Sequence, residues 1–275
     1  MLFRSIFRDD LESFFFGKYK DDKYLLDEKA VVLGILKETY IFVIEEPIEC
    51  ACELGYDGFY GNGKYIPFSW GPEIAKNLYI GKVINDIDEM PECLTNTLNT
   101  ISPLLERMEY NGPLSTEERV ISKTKSYFID FCARVPAPLG QLYPVAINNW
   151  RELCVNIGNK KNVEIDCDFE YVGAFALSAE HALDHNVKIM VDQEHRKDIR
   201  FQMIAENKDG YFSIKGNTAV CVLVAGGKNP KEVINKLKEA KDFVNGYSLE
   251  KDTVDGIEQE FEEALDGMKS IGIKF

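Results

Sequence analysis

Two patterns of apolar residues alternate along this chain, one typical of β-strands and one typical of amphipathic helices. Together they restrict the fold class more than any other feature of the sequence. Residues 40–44 form a continuous run of β-branched and aromatic side chains, which predicts a strand buried on both faces. A later segment predicts one face of a helix, because its apolar residues are three or four positions apart. These residues are Leu94, Leu98, Ile101, Leu105 and Met108. Strands mixed with amphipathic helices indicate an α/β or α+β chain.

The same two periods continue to the end of the chain. Strands are predicted at residues 114–121, 126–132, 187–191, 201–205, 211–214 and 219–225. Helices are predicted around residues 148–154, over 231–244 and near 257–268. A glycine-rich stretch at residues 55–63 contains an Asp-Gly and an Asn-Gly pair, and both pairs predict hairpin turns.

The charge balance argues against two classes of partner. The 275 residues include 46 acidic and 32 basic side chains, so the formal net charge is −14. An acidic surface repels phosphate backbones, and nucleic acid is therefore not an expected partner. The longest apolar runs, such as residues 219–225, are far shorter than the roughly 20 residues that a membrane helix needs, so a membrane is not expected either.

The seven cysteines indicate free thiols in a reducing compartment. They are scattered along the chain, and charged residues interrupt the apolar N-terminal stretch before it forms a secretory signal. The expected location is therefore the cytoplasm. Cys50 and Cys52 form a C-x-C pair, but the sequence has no second pair at zinc-finger spacing. His181 and His185 are one helical turn apart, and we interpret them as a solvated helix face rather than a metal site.

The most informative segment is residues 116–134, where a short polar loop joins two predicted strands. The polar side chains of the first strand are Glu117, Glu118 and Arg119, and those on one face of the second are Asp130, Cys132 and Arg134. A loop with an even number of residues puts Glu117 and Arg119 on the face of Asp130. An odd loop puts Glu118 there instead. In either case two carboxylates and at least one arginine are predicted to converge.

Such a patch is suited to a magnesium ion with bound phosphate. Magnesium usually takes one or two protein carboxylates and completes its octahedron with water and substrate phosphates. The planar fork of an arginine then binds a phosphate or a carboxylate. The alternative is a set of ordinary cross-strand ion pairs on a solvated sheet face. The proline-rich break that follows Arg134 favours a functional role, because loops at strand ends often carry function.

The same stretch resembles the closing motif of the ATP-grasp ligases. The similar residues are Tyr110, Gly112, Leu114 and Glu117, followed by residues 127–138, Tyr-Phe-Ile-Asp-Phe-Cys-Ala-Arg-Val-Pro-Ala-Pro. In that family a strand pair ends in Glu-x-Asn-x-Arg, whose acidic residues and asparagine hold magnesium against the ATP phosphates. Asp130 stands in place of the glutamate, Arg134 matches the arginine, and Cys132 replaces the asparagine. Sulfur is a poor magnesium ligand, so Cys132 is a doubtful metal residue.

The resemblance extends to both sides of this motif. Residues 42–48 resemble the family's hinge segment, whose backbone contacts adenine, and residues 71–73 take the place of a loop that faces the acceptor substrate. The implied ATP-binding residues are Ile44, Glu45, Glu46, Glu53 and Arg119. Residues 219–227 and the helix that begins at Pro230 resemble the small C-terminal domain of the phosphoribosylamine–glycine ligases.

The resemblance implies a fold and a domain organisation. It predicts an α+β fold with an ATP-grasp-like antiparallel sheet and flanking helices, followed by a small mixed α/β domain. The first domain is expected at residues 1–160, with an incomplete N-terminal lobe, and the second at residues 161–275. Only about forty residues precede the hinge-like run, which leaves little room for the family's N-terminal elements. The expected protein partner is a second copy of the chain or a separate N-terminal segment.

The implied activity is ATP-dependent formation of a carbon–nitrogen bond, with ATP and Mg²⁺ as cofactors. ATP phosphorylates a small-molecule carboxylate, and an amine then attacks the acylphosphate. Glu117 and Asp130 hold magnesium in this hypothesis, and Arg134 clamps the transferred phosphate. One alternative is a non-catalytic scaffold or binding protein that lacks the N-terminal phosphate-binding elements. Another is an enzyme that uses the Cys132 thiolate beside Arg134.

Overall fold

The computed structural model describes residues 4–7, 41–44, 48–75 and 77–275. Its contacts divide the chain into two compact units, Met1–Ile48 and Glu49–Phe275. In the first unit, β1 (Arg4–Phe7) and β2 (Ile41–Ile44) form an antiparallel pair, and β2 confirms the strand predicted at residues 40–44. Two predicted ATP-binding residues, Glu45 and Glu46, lie outside the described residues.

The second unit is built from two antiparallel sheets. The strands in its described residues are β3 (Cys52–Gly61), β4 (Lys64–Ala75), β5 (Leu78–Val83), β6 (Gly112–Ser122), β7 (Lys125–Cys132), β8 (Tyr171–Ser178), β9 (Lys188–Val191), β10 (Ile199–Phe201), β11 (Ile204–Asn207), β12 (Gly210–Ser213), β13 (Ala219–Gly227) and β14 (Val244–Gly246). Eight of these strands form a large sheet in the order β10-β13-β8-β5-β4-β3-β6-β7. The other four form a small sheet in the order β11-β12-β9-β14.

Helices flank these sheets. The α-helices in the described residues are α1 (Glu92–Arg107), α2 (Tyr143–Ala146), α3 (Trp150–Gly158), α4 (Pro230–Ala240) and α5 (Ile257–Ser270). Helix α1 buries Leu94, Leu98 and Leu105 of the face that the apolar spacing predicts, and it contains Pro103. Met108, the last residue of that spacing, follows the helix and is 65% exposed. The side chain of Asn229 caps α4 by accepting a hydrogen bond from the backbone N–H of Glu232, at 2.9 Å.

Apolar clusters cover both faces of the large sheet. Along β13, Leu223 packs in a cluster with Leu237 of α4, whereas Val222 belongs to a different cluster that contains Tyr143. Because successive residues of a strand point to opposite faces, these two clusters lie on opposite sides of the sheet. A third cluster packs α1 against Trp70 of β4. Within the described part of the chain, no helix has the length and apolar character needed to cross a membrane.

The structure confirms one predicted hairpin turn and corrects another. Asn62 and Gly63 connect β3 to β4 with φ angles of 52° and 76°, as the Asn-Gly pair predicts. The turn predicted at Asp57 and Gly58 is wrong, because β3 continues through that pair with a register shift. Pairing to β4 on one side and β6 on the other holds the pair extended. The single strand predicted at residues 201–205 is also wrong, since β10 and β11 belong to different sheets.

The fold-class prediction, an α+β chain with an antiparallel sheet and flanking helices, is confirmed. The division into residues 1–160 and 161–275 remains a prediction. The large sheet takes strands from both segments, since β5 pairs with β8, and the compact units divide the chain after Ile48. The small sheet, α4 and α5 all come from the second segment.

Candidate functional site

The hairpin of β6 and β7 places the predicted metal residues on one face of the large sheet. Its turn contains two residues, because Ser122 pairs with Lys125. Two register shifts, between Val120 and Ser122 and between Glu117 and Glu118, offset each other. Glu117 therefore lies directly opposite Asp130, as the even-loop alternative predicts. Glu117 therefore shares the face of Asp130, and Glu118 points to the other side of the sheet.

A cavity of about 440 Å³ opens beside this carboxylate pair. Glu117, Asp130, Cys132 and Arg134 all line it. The structure thus places two acids, a thiol and a guanidinium around one cavity. The metal-binding and catalytic roles assigned to these four residues stay predictions.

The backbone holds two of these side chains while leaving them accessible. The carboxylate of Asp130 accepts a hydrogen bond from the backbone N–H of Phe131, at 2.8 Å. Nη1 of Arg134 donates to the carbonyl oxygen of Val135, at 3.1 Å. Both side chains belong to exposed residues. A carboxylate has two acceptor oxygens and a guanidinium has five N–H donors, so each keeps capacity for a ligand.

An ion pair lies farther along the same sheet face. Nε of Arg119 donates to Oε1 of Glu53 at 2.8 Å, and both side chains are about one third exposed, at 38% and 31%. The register places Glu53 opposite Arg119 and Gly55 opposite Glu117, so the pair is two positions from the carboxylates. Of the other predicted ATP-binding residues, Ile44 ends β2 in the first unit.

Glu118 is buried on the opposite face, beneath α1. Its Oε2 accepts hydrogen bonds from the hydroxyl of Thr97, at 2.8 Å, and from the hydroxyl of Ser126. Burial raises the pKa of the Glu118 carboxyl to about 7, although the hydroxyl hydrogen bonds act in the opposite direction. Glu118 therefore joins β6 to β7 and α1 and does not line the cavity.

Asp57 is missing from the sites that the sequence predicts, and Glu73 is predicted only within residues 71–73, the segment that faces the acceptor substrate. Asp57 of β3 is 4% exposed, and Glu73 of β4 lines the cavity beside it. Burial raises the pKa of Asp57 well above its usual range, the Glu73 carboxyl adds to the shift, and a hydrogen bond with Tyr79 opposes it. Burial, followed by repulsion from Glu117 and Glu53, raises the pKa of Glu73 to about 7.

The sequence around each acid carries a recognisable pattern, but neither pattern predicts a carboxyl beside Glu117 and Asp130. The Asp57-Gly58 pair is typical of a turn, and its place in a central strand follows only from pairing with two neighbouring strands. Residues 71–73 are predicted to face the acceptor substrate, and Glu73 does line the cavity. Perturbed carboxyls grouped in one concave site are a common feature of functional sites.

The donor set is compatible with magnesium bound together with a phosphate ligand. The facing carboxylates of Glu117 and Asp130 supply the oxygen ligands that magnesium prefers, and the thiol of Cys132 does not. In the described stretches, no three His, Cys, Asp or Glu side chains are grouped closely enough to form a metal site by themselves. An ion at this pair would therefore take its remaining ligands from water and phosphate.

The other cysteine and histidine candidates lie away from this cavity. All seven cysteines are unpaired thiols, and burial raises the pKa of Cys52 to about 12. The rings of His181 and His185 stack with their centroids 4.1 Å apart, and His185 is exposed. The predicted helix there is a short 3-10 helix, Glu180–Leu183.

Comparison with solved structures identifies the fold, although no family model and no curated protein matches the sequence. The phosphoribosylamine–glycine ligase of Thermotoga maritima is similar, with a TM-score of 0.60 and 14% identity over 84% of this chain and 62% of that protein. The biotin carboxylase domain of a thermophilic 2-oxoglutarate carboxylase, bound to bicarbonate, has a TM-score of 0.59 and 12% identity, over 90% and 59% of the two chains. The Campylobacter jejuni biotin carboxylase, in its β-γ-ATP complex, has a TM-score of 0.55 and 15% identity, over 84% and 54%.

These neighbours are ATP-grasp proteins, and the chain has their fold. The predicted resemblance is thereby confirmed at the level of the fold. The chain spans between 54% and 62% of the length of these three proteins. At identities between 12% and 15%, the structural similarity establishes the fold alone. The activity depends on the residues of the site.

Proposed function

We propose that this chain binds Mg-ATP in the cavity beside β6 and β7 and uses it to join a carboxylate to an amine. The observation that carries this proposal is the direct pairing of Glu117 with Asp130, with Arg134 lining the same cavity. The fold supports it, since the similar structures include a phosphoribosylamine–glycine ligase and a biotin carboxylase in its β-γ-ATP complex.

The reaction divides into two transfers. A carboxylate oxygen of the donor attacks the γ-phosphorus of ATP, so the acylphosphate forms and ADP leaves. The amine then attacks the acyl carbon, the carbon–nitrogen bond forms, and inorganic phosphate and a proton are released. Protein groups in such a reaction mainly position the reactants and compensate negative charge.

Each residue of the site has a definite task in this proposal. Glu117 and Asp130 would hold magnesium, which supplies charge neutralisation for the ATP phosphates when it is bound. The guanidinium of Arg134 binds the transferred phosphate through its planar donor fork. Glu53 and Arg119, two positions along the sheet face, are assigned to the nucleotide.

A binding protein without turnover is the second candidate, because Cys132 lines the cavity beside Asp130. A thiol is a poor ligand for magnesium, so a second metal position there would be weak. Such a protein would bind Mg-ATP and release no ADP. Measurement of ADP release with a panel of small carboxylates and amines separates the two candidates.

Calorimetric titration of the full chain with ATP tests the proposal. We expect micromolar, magnesium-dependent binding, and we expect Asp130→Ala to weaken it roughly tenfold or more, because one of two carboxylate ligands is lost. The matched control is Glu106→Ala, which removes an exposed carboxylate from α1 on a different part of the surface. Binding that is unchanged in Asp130→Ala, or equally tight in EDTA, would contradict the proposal.

A further inference from the structure

A second cavity, of about 540 Å³, lies where the large sheet lacks part of a strand. Strand β5 ends at Val83, and the N–H of Ile84 makes one further hydrogen bond, to the carbonyl oxygen of Phe68 at 3.0 Å. The chain then turns away into a 3-10 helix, Ile87–Glu89. The first four residues of β4, Lys64–Pro67, pair with β3 on one side and line the cavity on the side that β5 has left.

The register of the β3–β4 hairpin shows which backbone groups of this wall face the cavity. In a hairpin with a two-residue turn, the residues that flank the turn, here Gly61 and Lys64, form a hydrogen-bonded pair. Tyr65 and Tyr60 are the next pair, which is not hydrogen-bonded, so the N–H and C=O of Tyr65 point away from β3. The carbonyl of Pro67 points the same way, and its ring nitrogen has no hydrogen. The wall therefore offers one donor and two acceptors to the cavity.

The opposite wall is residues 162–165, a segment outside both sheets of the second unit. Its side chains alternate as in a strand, because Val163 and Ile165 pack on the cluster that contains Tyr143 whereas Glu164 is exposed. The carbonyl oxygen of Glu164 accepts a hydrogen bond from Nδ2 of Asn149 at 2.8 Å, on the side away from the cavity. Backbone groups of successive extended residues point to opposite sides, so those of Val163 and Ile165 face the cavity.

A side-chain hydrogen bond joins the two walls at one end. Nδ2 of Asn62, in the hairpin turn, donates to Oδ1 of Asn162 at 2.8 Å. Both walls begin beside this contact, so they run in the same direction along the cavity. We call the space between Lys64–Pro67 and residues 162–165 the strand gap. A chain that enters it antiparallel to both walls meets backbone donors and acceptors on either side.

The side chains of the strand gap define what its occupant carries. Ile66, Val163 and Ile165 give it an apolar floor. Lys64 is exposed beside the Asn62 end, and Glu164 is exposed farther along the other wall. The C-terminal end of an antiparallel occupant lies beside Lys64, so an acidic residue there and a basic residue nearer the N-terminal end complement the two charges.

We propose that the strand gap is a docking site for an extended peptide segment of a partner protein, which adds as a strand between β4 and residues 162–165. Four residues of such a segment span about 14 Å, the length of the Lys64–Pro67 wall. Its main chain pairs with both walls, every second side chain packs on the apolar floor, and its charged ends lie beside Lys64 and Glu164. The strand gap shares no lining residue with the cavity proposed for Mg-ATP.

The test is a titration of the full chain with the peptide acetyl-Lys-Val-Thr-Val-Glu amide, followed by NMR and amide hydrogen exchange. We expect saturable binding, with slower exchange of the backbone N–H groups of Tyr65 and Val163. The same peptide methylated on its backbone nitrogens keeps every side chain and should bind roughly tenfold more weakly or worse, because its main-chain donors are lost. The peptide with its Lys and Glu exchanged keeps the composition and should bind about two- to fivefold more weakly, since both charge contacts are reversed.

A pair of variants places the peptide in the strand gap. Val163→Pro removes one of the backbone donors that face the gap, and an extended segment accommodates the φ angle of proline. Val163→Ala is the matched control, because it keeps the N–H and shortens the side chain. We expect Val163→Pro to weaken binding severalfold more than Val163→Ala does.

Several results would overturn the docking site. They are no saturable binding at millimolar peptide, equal binding of the methylated peptide, or protection of amides elsewhere in place of Tyr65 and Val163. Slow exchange of these two amides in the free chain would show that the strand gap is already filled, by a second copy if the protection rises with protein concentration and by the chain itself if it does not. If Val163→Pro does not fold, the comparison of the native and methylated peptides on the unaltered chain still decides the question.

Discussion

Glu118 and Glu117 are adjacent in sequence, yet they lie in opposite environments. Glu117 lines the cavity, whereas Glu118 is fully buried and accepts hydrogen bonds from Thr97 and Ser126. The register of β6 with β7 decides this difference, because neighbouring residues of a strand point to opposite faces. A slip of one residue would exchange the two carboxyls.

Glu118 should make the free energy of unfolding depend on pH. Its pKa is about 7 in the folded chain and near 4.5 without burial, so the folded state favours the protonated carboxyl. This contribution is complete below pH 4.5 and is lost as the pH rises through 7, by about 3 kcal/mol at most. Urea unfolding between pH 5 and pH 8 should show a steeper loss of stability for the native chain than for Glu118→Gln.

Glu73 should also contribute to the pH dependence of the unfolding free energy. Its pKa is also raised to about 7, chiefly by burial, so part of the pH dependence should remain in Glu118→Gln and become smaller in the double variant with Glu73→Gln. The buried Asp57, whose pKa is raised as well, accounts for the remainder. An unfolding free energy that rises between pH 5 and pH 8 to the same extent in all these variants would show that neither carboxyl is protonated in the folded chain.

At the scale of elements, β3 is the strand on which the site depends most. It pairs with β4 on one side and β6 on the other, so it brings Asp57 and Gly55 between the acids of both neighbours. Gly55 lies opposite Glu117 and beneath the side chain of Glu73. The backbone of β3 approaches its neighbours closely at this point because Gly55 has no side chain.

Gly55→Ala is expected to destabilise the chain by about 1–3 kcal/mol, the usual cost of overpacking. The added Cβ would lie 2.6 Å from Oε1 of Glu73 and 2.8 Å from the backbone oxygen of Thr116, and the backbone contact cannot be relieved by a side-chain rotation. Urea unfolding measures the change. Gly158→Ala is the matched control, because a Cβ there meets nothing within 4 Å and lies in the last turn of α3. Equal stability of the two variants would refute the close approach.

Local patterns predict some elements better than others. Helix α1 and the β6–β7 hairpin were predictable, because a helical period or a short polar loop is visible within about 20 residues of sequence. Strands β4, β5 and β8 are missing from the prediction, since they have no clear local period. Their positions depend on pairing with strands distant in sequence, as β5 pairs with β8 across more than 80 residues.

The chain divides into two compact units, Met1–Ile48 and Glu49–Phe275. Among the residues that the structure describes, the three apolar clusters consist of side chains from Glu49–Phe275. The large sheet of that unit is covered by α1 and by the clusters on its two faces. An independent core is the property that lets a segment fold by itself.

We expect the fragment 49–275 to fold cooperatively without residues 1–48. Its own clusters supply the buried apolar surface, so it should unfold in urea in one transition with most of the stability of the full chain. Circular dichroism and a dispersed NMR spectrum would check this. A fragment that binds a hydrophobic dye and unfolds without a cooperative transition would show that the core requires the first unit.

Relations within one hairpin are visible in the sequence. Period-two alternation puts Asp130, Cys132 and Arg134 on one face of the second strand but leaves Glu117 and Glu118 as alternatives, and the register of β6 with β7 selects Glu117. The grouping of Asp57 and Glu73 with these residues is a property of the tertiary fold. Their place follows from the pairing of β3 with β4 and β6, and their raised pKa values follow from burial, which is a property of the packed chain and of no single segment.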